Sequence, residues 1–276
     1  MACPDTVRFE LNKGKRIGQV LFIIEGLDTE ANLIYRVFSK ILGYQMERLY
    51  RNGNYRVFHR TDDPYSKITV INTSESNIKF IDKDDEFLNR MFDTLIEDYN
   101  FDLDNAAIYY IFDRDPKSNT DQAFIRNSIG KLSSSREINV DWGRQGMLLL
   151  SYPCIESFVG MNLLSNSLEY CWNRQVAIGE ELKPALDQDG LIPNKINEAT
   201  LIHCVEELYQ SLDKIGLEST VDAFIDDPAL FASNNRNIYE WQELKFDQKG
   251  QYGLLSLFIV ALLDLGLIRI ENCVAQ

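Results

Sequence analysis

Four acidic side chains in this sequence each follow closely on an apolar, β-rich segment: Glu25, Asp113, Asp115 and Glu156. Segments of this kind are typical of the buried strands of a parallel sheet. Because ligands bind outside the carboxyl ends of such strands, we expect the four carboxylates to lie near one another at one edge of a sheet. Asp113 and Asp115 are two residues apart, so in an extended chain they would face the same way, about 6–7 Å apart.

These carboxylates predict a metal site, because Mg²⁺ and Mn²⁺ prefer oxygen ligands. The sequence has only two histidines, His59 and His203, so a His-rich metal site is excluded. Its five cysteines are scattered and never in CxxC spacing, which excludes a zinc finger and a disulfide scaffold. Taken singly, each carboxylate has a simpler explanation as a helix cap or a turn residue. The four together favour a site.

The segments that must position these residues alternate between strand and helix patterns. Strand patterns lie at 19–24, 67–72, 106–112 and 146–150. Helical spacing of apolar residues marks 31–44, 84–99, 121–132 and the residues from 157 onward. Such alternation predicts an α/β fold in which a parallel sheet is flanked by helices. We assign residues 1–168 to one catalytic domain.

From about residue 170 the pattern becomes mostly helical. The predicted helices are 199–215, 218–231 and 253–265, with a possible strand at 267–270. Residues 169–276 carry 8 basic and 18 acidic side chains, and they account for most of the net charge of −14. We therefore predict an acidic, mostly α-helical C-terminal domain over 169–276. Its charge makes it a poor nucleic-acid surface and a docking surface for a basic partner or a second copy of the chain.

Composition and missing motifs exclude several classes of protein. Hydrophobic residues make up 45% and charged residues 25%, as in ordinary globular proteins. The longest apolar run, 254–263, is too short to cross a bilayer, and the N-terminal residues resemble no secretory signal. These features and the unpaired cysteines predict a cytoplasmic protein that does not contact membranes. No Walker A or GxGxxG motif is present, so the chain is not expected to bind ATP by itself.

A basic segment precedes the second strand pattern. Residues 36–60 hold six basic side chains and one acid. Within this segment, possible nucleic-acid contacts are Arg48, Arg51, Arg56, His59 and Arg60, interleaved with Tyr50, Tyr55 and Phe58. Arginine forms forked contacts with phosphate, and aromatic rings stack on unpaired bases. The turn-forming residues 51–54 predict a hairpin, which could equally be an ordinary solvated one with its aromatic rings packed inward. Lys117 is a further phosphate contact or a solvated loop lysine.

Three segments together resemble a known family. The sequence IIEGLDTE ahead of a helix, with a later strand that ends in FDRD, resembles the TOPRIM fold of topoisomerases, primases and OLD-type nucleases. The segment SYPCIESFVGMNLL is similar to the NPCFE-type segment of RloB-like anti-phage proteins. The general layout also resembles the TOPRIM effector subunit of the PARIS system, which acts with an ABC-type ATPase. The resemblance covers about residues 18–165.

The resemblance implies a Mg²⁺-dependent nuclease of bacterial anti-phage defence. Glu25 would be the general acid–base or a metal-site residue, Asp113 and Asp115 would be metal ligands, and Glu156 would support the site. It also implies a nucleic-acid substrate, DNA or RNA, and an ABC-type ATPase partner. The alternative is a regulatory subunit that keeps the TOPRIM shape without catalysis. A primase-like subunit is disfavoured because no zinc-ribbon cysteines accompany the fold.

Overall fold

The computed structural model describes residues 8–26, 29–47, 55–74, 77–82, 86–217 and 227–270. Its strands are β1 (Phe9–Leu11), β2 (Gln19–Ile24), β3 (Gln45–Met46), β4 (Tyr55–His59), β5 (Lys67–Asn72), β6 (Ala106–Asp113), β7 (Ser133–Asn139), β8 (Arg144–Tyr152), β9 (Leu255–Ser256) and β10 (Ile268–Ile270).

The helices lie between and after these strands. They are α1 (Thr29–Tyr35), α2 (Glu86–Tyr99), α3 (Gln122–Lys131), α4 (Glu156–Leu163), α5 (Tyr170–Arg174), α6 (Gly179–Gln188), α7 (Glu198–Lys214), α8 (Pro228–Lys249) and α9 (Phe258–Asp264). α1 runs on into a π-helical stretch, Arg36–Ile41. Short 3₁₀ helices occur at Ile78–Ile81, Ser167–Glu169 and Pro193–Lys195.

An eight-stranded sheet organises the molecule. Its order is β3-β4-β5-β2-β6-β8-β7, and β9 also pairs with β8. The four central strands, β5, β2, β6 and β8, are parallel. They carry the predicted segments, and β2 and β5 have the predicted bounds. The α/β class with flanking helices is therefore confirmed.

The expectation of an all-parallel sheet is wrong at both sides of this centre. β3 and β4 are antiparallel to their neighbours on one side, and β7 and β9 are antiparallel to β8 on the other. The four residues 140–143 join β7 to β8, and so short a connection permits only an antiparallel hairpin. The polar sequence of β7 (SSSREIN) gave no apolar strand pattern.

The C-terminal residues share one apolar core with the sheet. The ring of Phe258 in α9 packs at 6.1 Å from that of Phe22 in β2 and at 4.8 Å from that of Phe158 in α4. The Asn235 side chain donates from Nδ2 to the Leu148 carbonyl oxygen at 2.9 Å. The proposed division at residues 168 and 169 thus falls between parts in close contact, and it stays a prediction.

One C-terminal helix begins later than predicted, and another can be compared with its prediction only in part. Residues 218–226 of the predicted helix 218–231 lie outside the described residues, and α8 begins at Pro228, where the Asp227 side chain caps it. Part of the predicted helix 253–265 forms β9 instead, because the edge of β8 offers it strand partners. Within the described ranges, no helix has both the length and the apolar character needed to cross a membrane.

Candidate metal centre

Three carboxylates converge at the carboxyl ends of two central strands. Glu25 follows β2, Asp113 is the last residue of the adjacent β6, and Glu30 lies in the first turn of α1. One oxygen from each of the three lies within 4.8 Å of the other two. This cluster could hold a metal ion, because an oxygen-only donor set suits a hard divalent cation.

Backbone amides fix two of these carboxylates. The Asp113 N–H donates to Glu25 Oε1 at 3.0 Å, and the Ile155 N–H donates to Asp113 Oδ1 at 2.7 Å. The first bond joins neighbouring strands, and the second comes from the connection between β8 and α4. Backbone amides at the strand ends therefore set the orientation of both carboxyl groups.

Burial and mutual repulsion make the charged form of this cluster costly. Burial raises the pKa of Glu25, and the charges of Glu30 and Asp115 add to the rise, while the Asp113 N–H opposes it. Burial likewise raises the pKa of Asp113, followed by the charges of Glu25, Glu30 and Glu156, against the Ile155 N–H bond. A bound divalent cation would offset this repulsion, since it favours the ionised carboxylates.

Glu156 lies beside the cluster, as the sequence predicted. It is the first residue of α4, which follows β8, and β8 lies directly beside β6. Its Oε1 accepts a hydrogen bond from the Thr29 hydroxyl at 3.1 Å. Its charge contributes to the raised pKa of Asp113. Glu156 therefore lies at the edge of the site without being one of the three clustered carboxylates.

The structure leaves Asp115 out of that cluster of three carboxylates. The strand ends at Asp113, so the extended geometry that would make the two side chains face the same way does not continue. Asp115 Oδ1 instead accepts from the Lys117 N–H at 3.0 Å, and Oδ2 lies 3.4 Å from the Ser118 hydroxyl. Asp115 acts on the site through its charge, which raises the pKa of Glu25.

Glu30 is a site residue that the sequence reasoning missed. An acidic residue in the first turn of a helix is common, because it interacts favourably with the positive end of the helix dipole. The available signal was its spacing, five residues after Glu25 at the start of the helix that follows the first strand.

Arg114, between Asp113 and Asp115, is a second residue that the sequence reasoning missed. It connects the site to α8. Its side chain is 2% exposed. Its Nε and Nη2 donate to the two carboxylate oxygens of Glu243 at 2.9 and 2.8 Å. Its Nη1 donates to the Asn119 carbonyl at 2.8 Å, and Asn119 Nδ2 donates to the Asp113 carbonyl at 3.0 Å. We call Arg114, Asn119 and Glu243 the arginine clamp.

The described residues of the basic segment do not converge on the candidate metal centre. Arg48 and Arg51 lie outside the described residues. Arg56 lies on β4 and pairs with Val70 of β5. β5 separates β4 from β2, so the two strands are about 10 Å apart. The register places His59 level with Gln19, at the opposite end of β2 from Glu25.

The other predicted phosphate contacts have acidic neighbours. Arg60 Nε donates to Asp62 Oδ1 at 2.8 Å, and His59 Nδ1 lies 3.5 Å from Glu47 Oε1. Lys117 is exposed and pairs with Glu180 at 3.2 Å. Phe58 is fully buried, so this ring packs inward, as in an ordinary hairpin. Nucleic-acid binding by these residues stays a prediction.

No protein-family model, curated protein or solved structure was found to match this chain. What the site can do must therefore be argued from its own residues. They form a partly buried, oxygen-only cluster at the ligand-binding edge of a parallel sheet.

Proposed function

We propose that this protein is a metal-dependent nuclease that uses Mg²⁺ or Mn²⁺ to hydrolyse phosphodiester bonds. The observation that supports the proposal best is the convergence of Glu25, Glu30 and Asp113, whose oxygens lie within 4.8 Å of one another. A bound divalent cation there would supply charge neutralisation at the phosphate and a more acidic water. The TOPRIM resemblance of the three segments supports the same reaction and a role in bacterial anti-phage defence.

The residues of the chain have distinct parts in this proposal. Glu25, Glu30 and Asp113 would hold the cation, and the amides of Asp113 and Ile155 keep two of them oriented. Glu156, beside the cluster and bonded to the Thr29 hydroxyl, is placed to accept or return a proton. Asp115 strengthens the negative field of the site from outside the ligand set.

The test is cleavage of defined nucleic acids by the purified protein. Single- and double-stranded DNA, transfer RNA and other RNA would be incubated with Mg²⁺, with Mn²⁺ or with a chelator. We expect cleavage that requires the metal and falls at least about a hundredfold in Asp113→Asn. Glu97→Gln, an exposed change on α2, is the matched control and should retain activity. Equal activity in Asp113→Asn and the parent would refute the assignment.

A second candidate is the regulatory subunit of an ATPase complex. The excess of acidic residues in 169–276 favours docking of a basic partner surface. Co-expression with an ABC-type ATPase encoded next to this chain, followed by affinity purification, tests the partner. A stable complex with Asp113→Asn, together with no cleavage by the parent under any condition, would favour the regulatory candidate over the nuclease.

A further inference from the structure

A cavity of about 140 Å³ lies beside the metal centre. It is enclosed by α1, α4, α6 and the residues that follow α6. Thr29 and Glu156, which are hydrogen-bonded to each other at the edge of the carboxylate cluster, both line it. Whatever occupies this cavity is therefore a direct neighbour of the site at which the proposed reaction takes place.

Part of the cavity lining is apolar. Val159 and Leu186 are 1% and 2% exposed, and Leu191 and Pro193 also belong to the lining. An apolar cavity of about 150 Å³ admits a ring the size of benzene. The volume therefore suits one ring system and is too small for a base pair.

The polar part of the lining is rich in hydrogen-bond acceptors. The carboxylates of Glu156 and Asp187 line it, together with the Asn32 amide and one cation, Lys183. Two carboxylates against one ammonium disfavour a phosphate group at this position. They favour an uncharged group that presents N–H donors, because ionised carboxylates only accept hydrogen bonds.

We propose that this cavity binds one unpaired nucleobase that carries an exocyclic amino group, next to the phosphodiester that is cleaved. That the base belongs to a nucleic-acid substrate rests on the proposed nuclease function. That the bound group carries an amino donor rests on the lining of the cavity alone. Cytosine, adenine and guanine present such amino donors, and thymine and uracil do not. A base inside a duplex is stacked and paired, so the substrate must be single-stranded or have the base turned out.

Binding of nucleosides tests the cavity without requiring cleavage. Saturation-transfer NMR would compare cytidine, uridine and inorganic phosphate, with the full chain and without metal. We expect cytidine to bind at least about fivefold more tightly than uridine, with no competition by phosphate. In Asn32→Phe the new ring fills the mouth of the cavity from an exposed position on α1, and the cytidine signal should disappear.

Asn127→Phe, at an exposed position on α3, is the matched control and should bind cytidine as the parent does. Equal binding of cytidine by Asn32→Phe and the parent, absence of cytidine binding by the parent, or displacement of cytidine by phosphate would each overturn the proposal.

Kinetics separate this proposal from the nuclease assignment. With a single-stranded oligonucleotide we expect Asn32→Phe to raise KM about tenfold while kcat stays within about twofold, since the lost contact is one of binding. A KM that is unchanged in Asn32→Phe would overturn the base-binding proposal and leave the nuclease assignment intact. If the parent cleaves nothing, the nuclease assignment fails, and the cytidine measurement still decides what the cavity binds.

Discussion

A substitution at Glu25 measures how much the buried carboxylate cluster lowers the stability of the metal-free fold. In Glu25→Gln the amide oxygen can still accept the Asp113 N–H, and one buried negative charge is removed. Without metal, we expect the free energy of unfolding to rise by about 1–3 kcal/mol, the scale of the penalty for a poorly solvated polar group.

The same variant should lose stabilisation by divalent cations. A ligand at about a hundred times its Kd stabilises the folded state by about 2.7 kcal/mol, and this gain should shrink when one ligand becomes an amide. Thermal unfolding with and without MnCl₂ measures both effects, and Glu97→Gln is the control. A parent that is insensitive to metal, or a Glu25→Gln variant that is less stable without it, would contradict the prediction.

The raised pKa values of Glu25 and Asp113 also fix the direction of a pH effect. In the metal-free protein, the folded chain keeps protons that the unfolded chain has already released. Stability therefore falls as the pH rises from the ordinary carboxyl range through the raised pKa values.

The comparison that isolates this effect is the parent against Glu25→Gln/Asp113→Asn in a chelator between pH 5 and pH 8. We expect the difference in the free energy of unfolding to grow in favour of the variant as the pH increases. A saturating concentration of divalent cation should remove the loss of stability with rising pH in the parent, because the cation binds the ionised form of the carboxylates. A difference that stays constant across the pH range would show that the two carboxyl groups titrate normally.

At the scale of elements, the arginine clamp joins the end of β6 to α8. Breaking a buried ion pair from one side leaves an uncompensated charge, which costs about 3–5 kcal/mol. We expect losses of this size in Arg114→Met and in Glu243→Gln, and a double variant that loses less than the sum of the two.

The exposed pair of Arg126 and Glu240 links α3 to the same helix and is the matched control. Its side chains are about half exposed, so removal of Arg126 should cost no more than about 1 kcal/mol. Chemical denaturation of the single and double variants gives the coupling energy of each pair. Additive effects at Arg114 and Glu243 would show that the two residues do not act as a unit.

The strands were more predictable than the contacts made at their ends. β2 is apolar from its second residue onward, β5 is rich in β-branched residues, and both are buried over five of their six residues. Such segments can be recognised as buried strands without knowledge of their neighbours. The position of Asp115 was not predictable in this way, because the chain leaves the extended conformation after Asp113. The role of Glu243 was out of reach as well, since its partner lies 129 residues away in the chain.

At the scale of the whole molecule, we predict that residues 1–168 do not fold cooperatively by themselves. That piece would lack Phe258, which packs against Phe22 and Phe158, and β9, which pairs with β8. Deletion of a buried aromatic side chain alone costs about 3–5 kcal/mol, a large share of the stability of a typical domain.

The measurement is thermal unfolding of 1–168 and of the full chain, followed by circular dichroism and by the binding of a hydrophobic dye. We expect one sharp transition for the full chain, and for 1–168 dye binding with no sharp transition. A sharp, dye-free transition of the shorter piece would establish residues 1–168 as an independent domain.

The arginine clamp joins two parts of the chain that are synthesised at different times. A ribosome releases a chain from its N-terminus, at about 5–20 residues per second. Arg114 therefore precedes Glu243 out of the ribosome by 129 residues, or roughly 6 to 26 seconds. Throughout that interval the loop that follows Asp113 has no α8 to hold it. The arginine clamp closes beside the candidate metal centre only after most of the chain has been synthesised, so a nascent chain lacks this support.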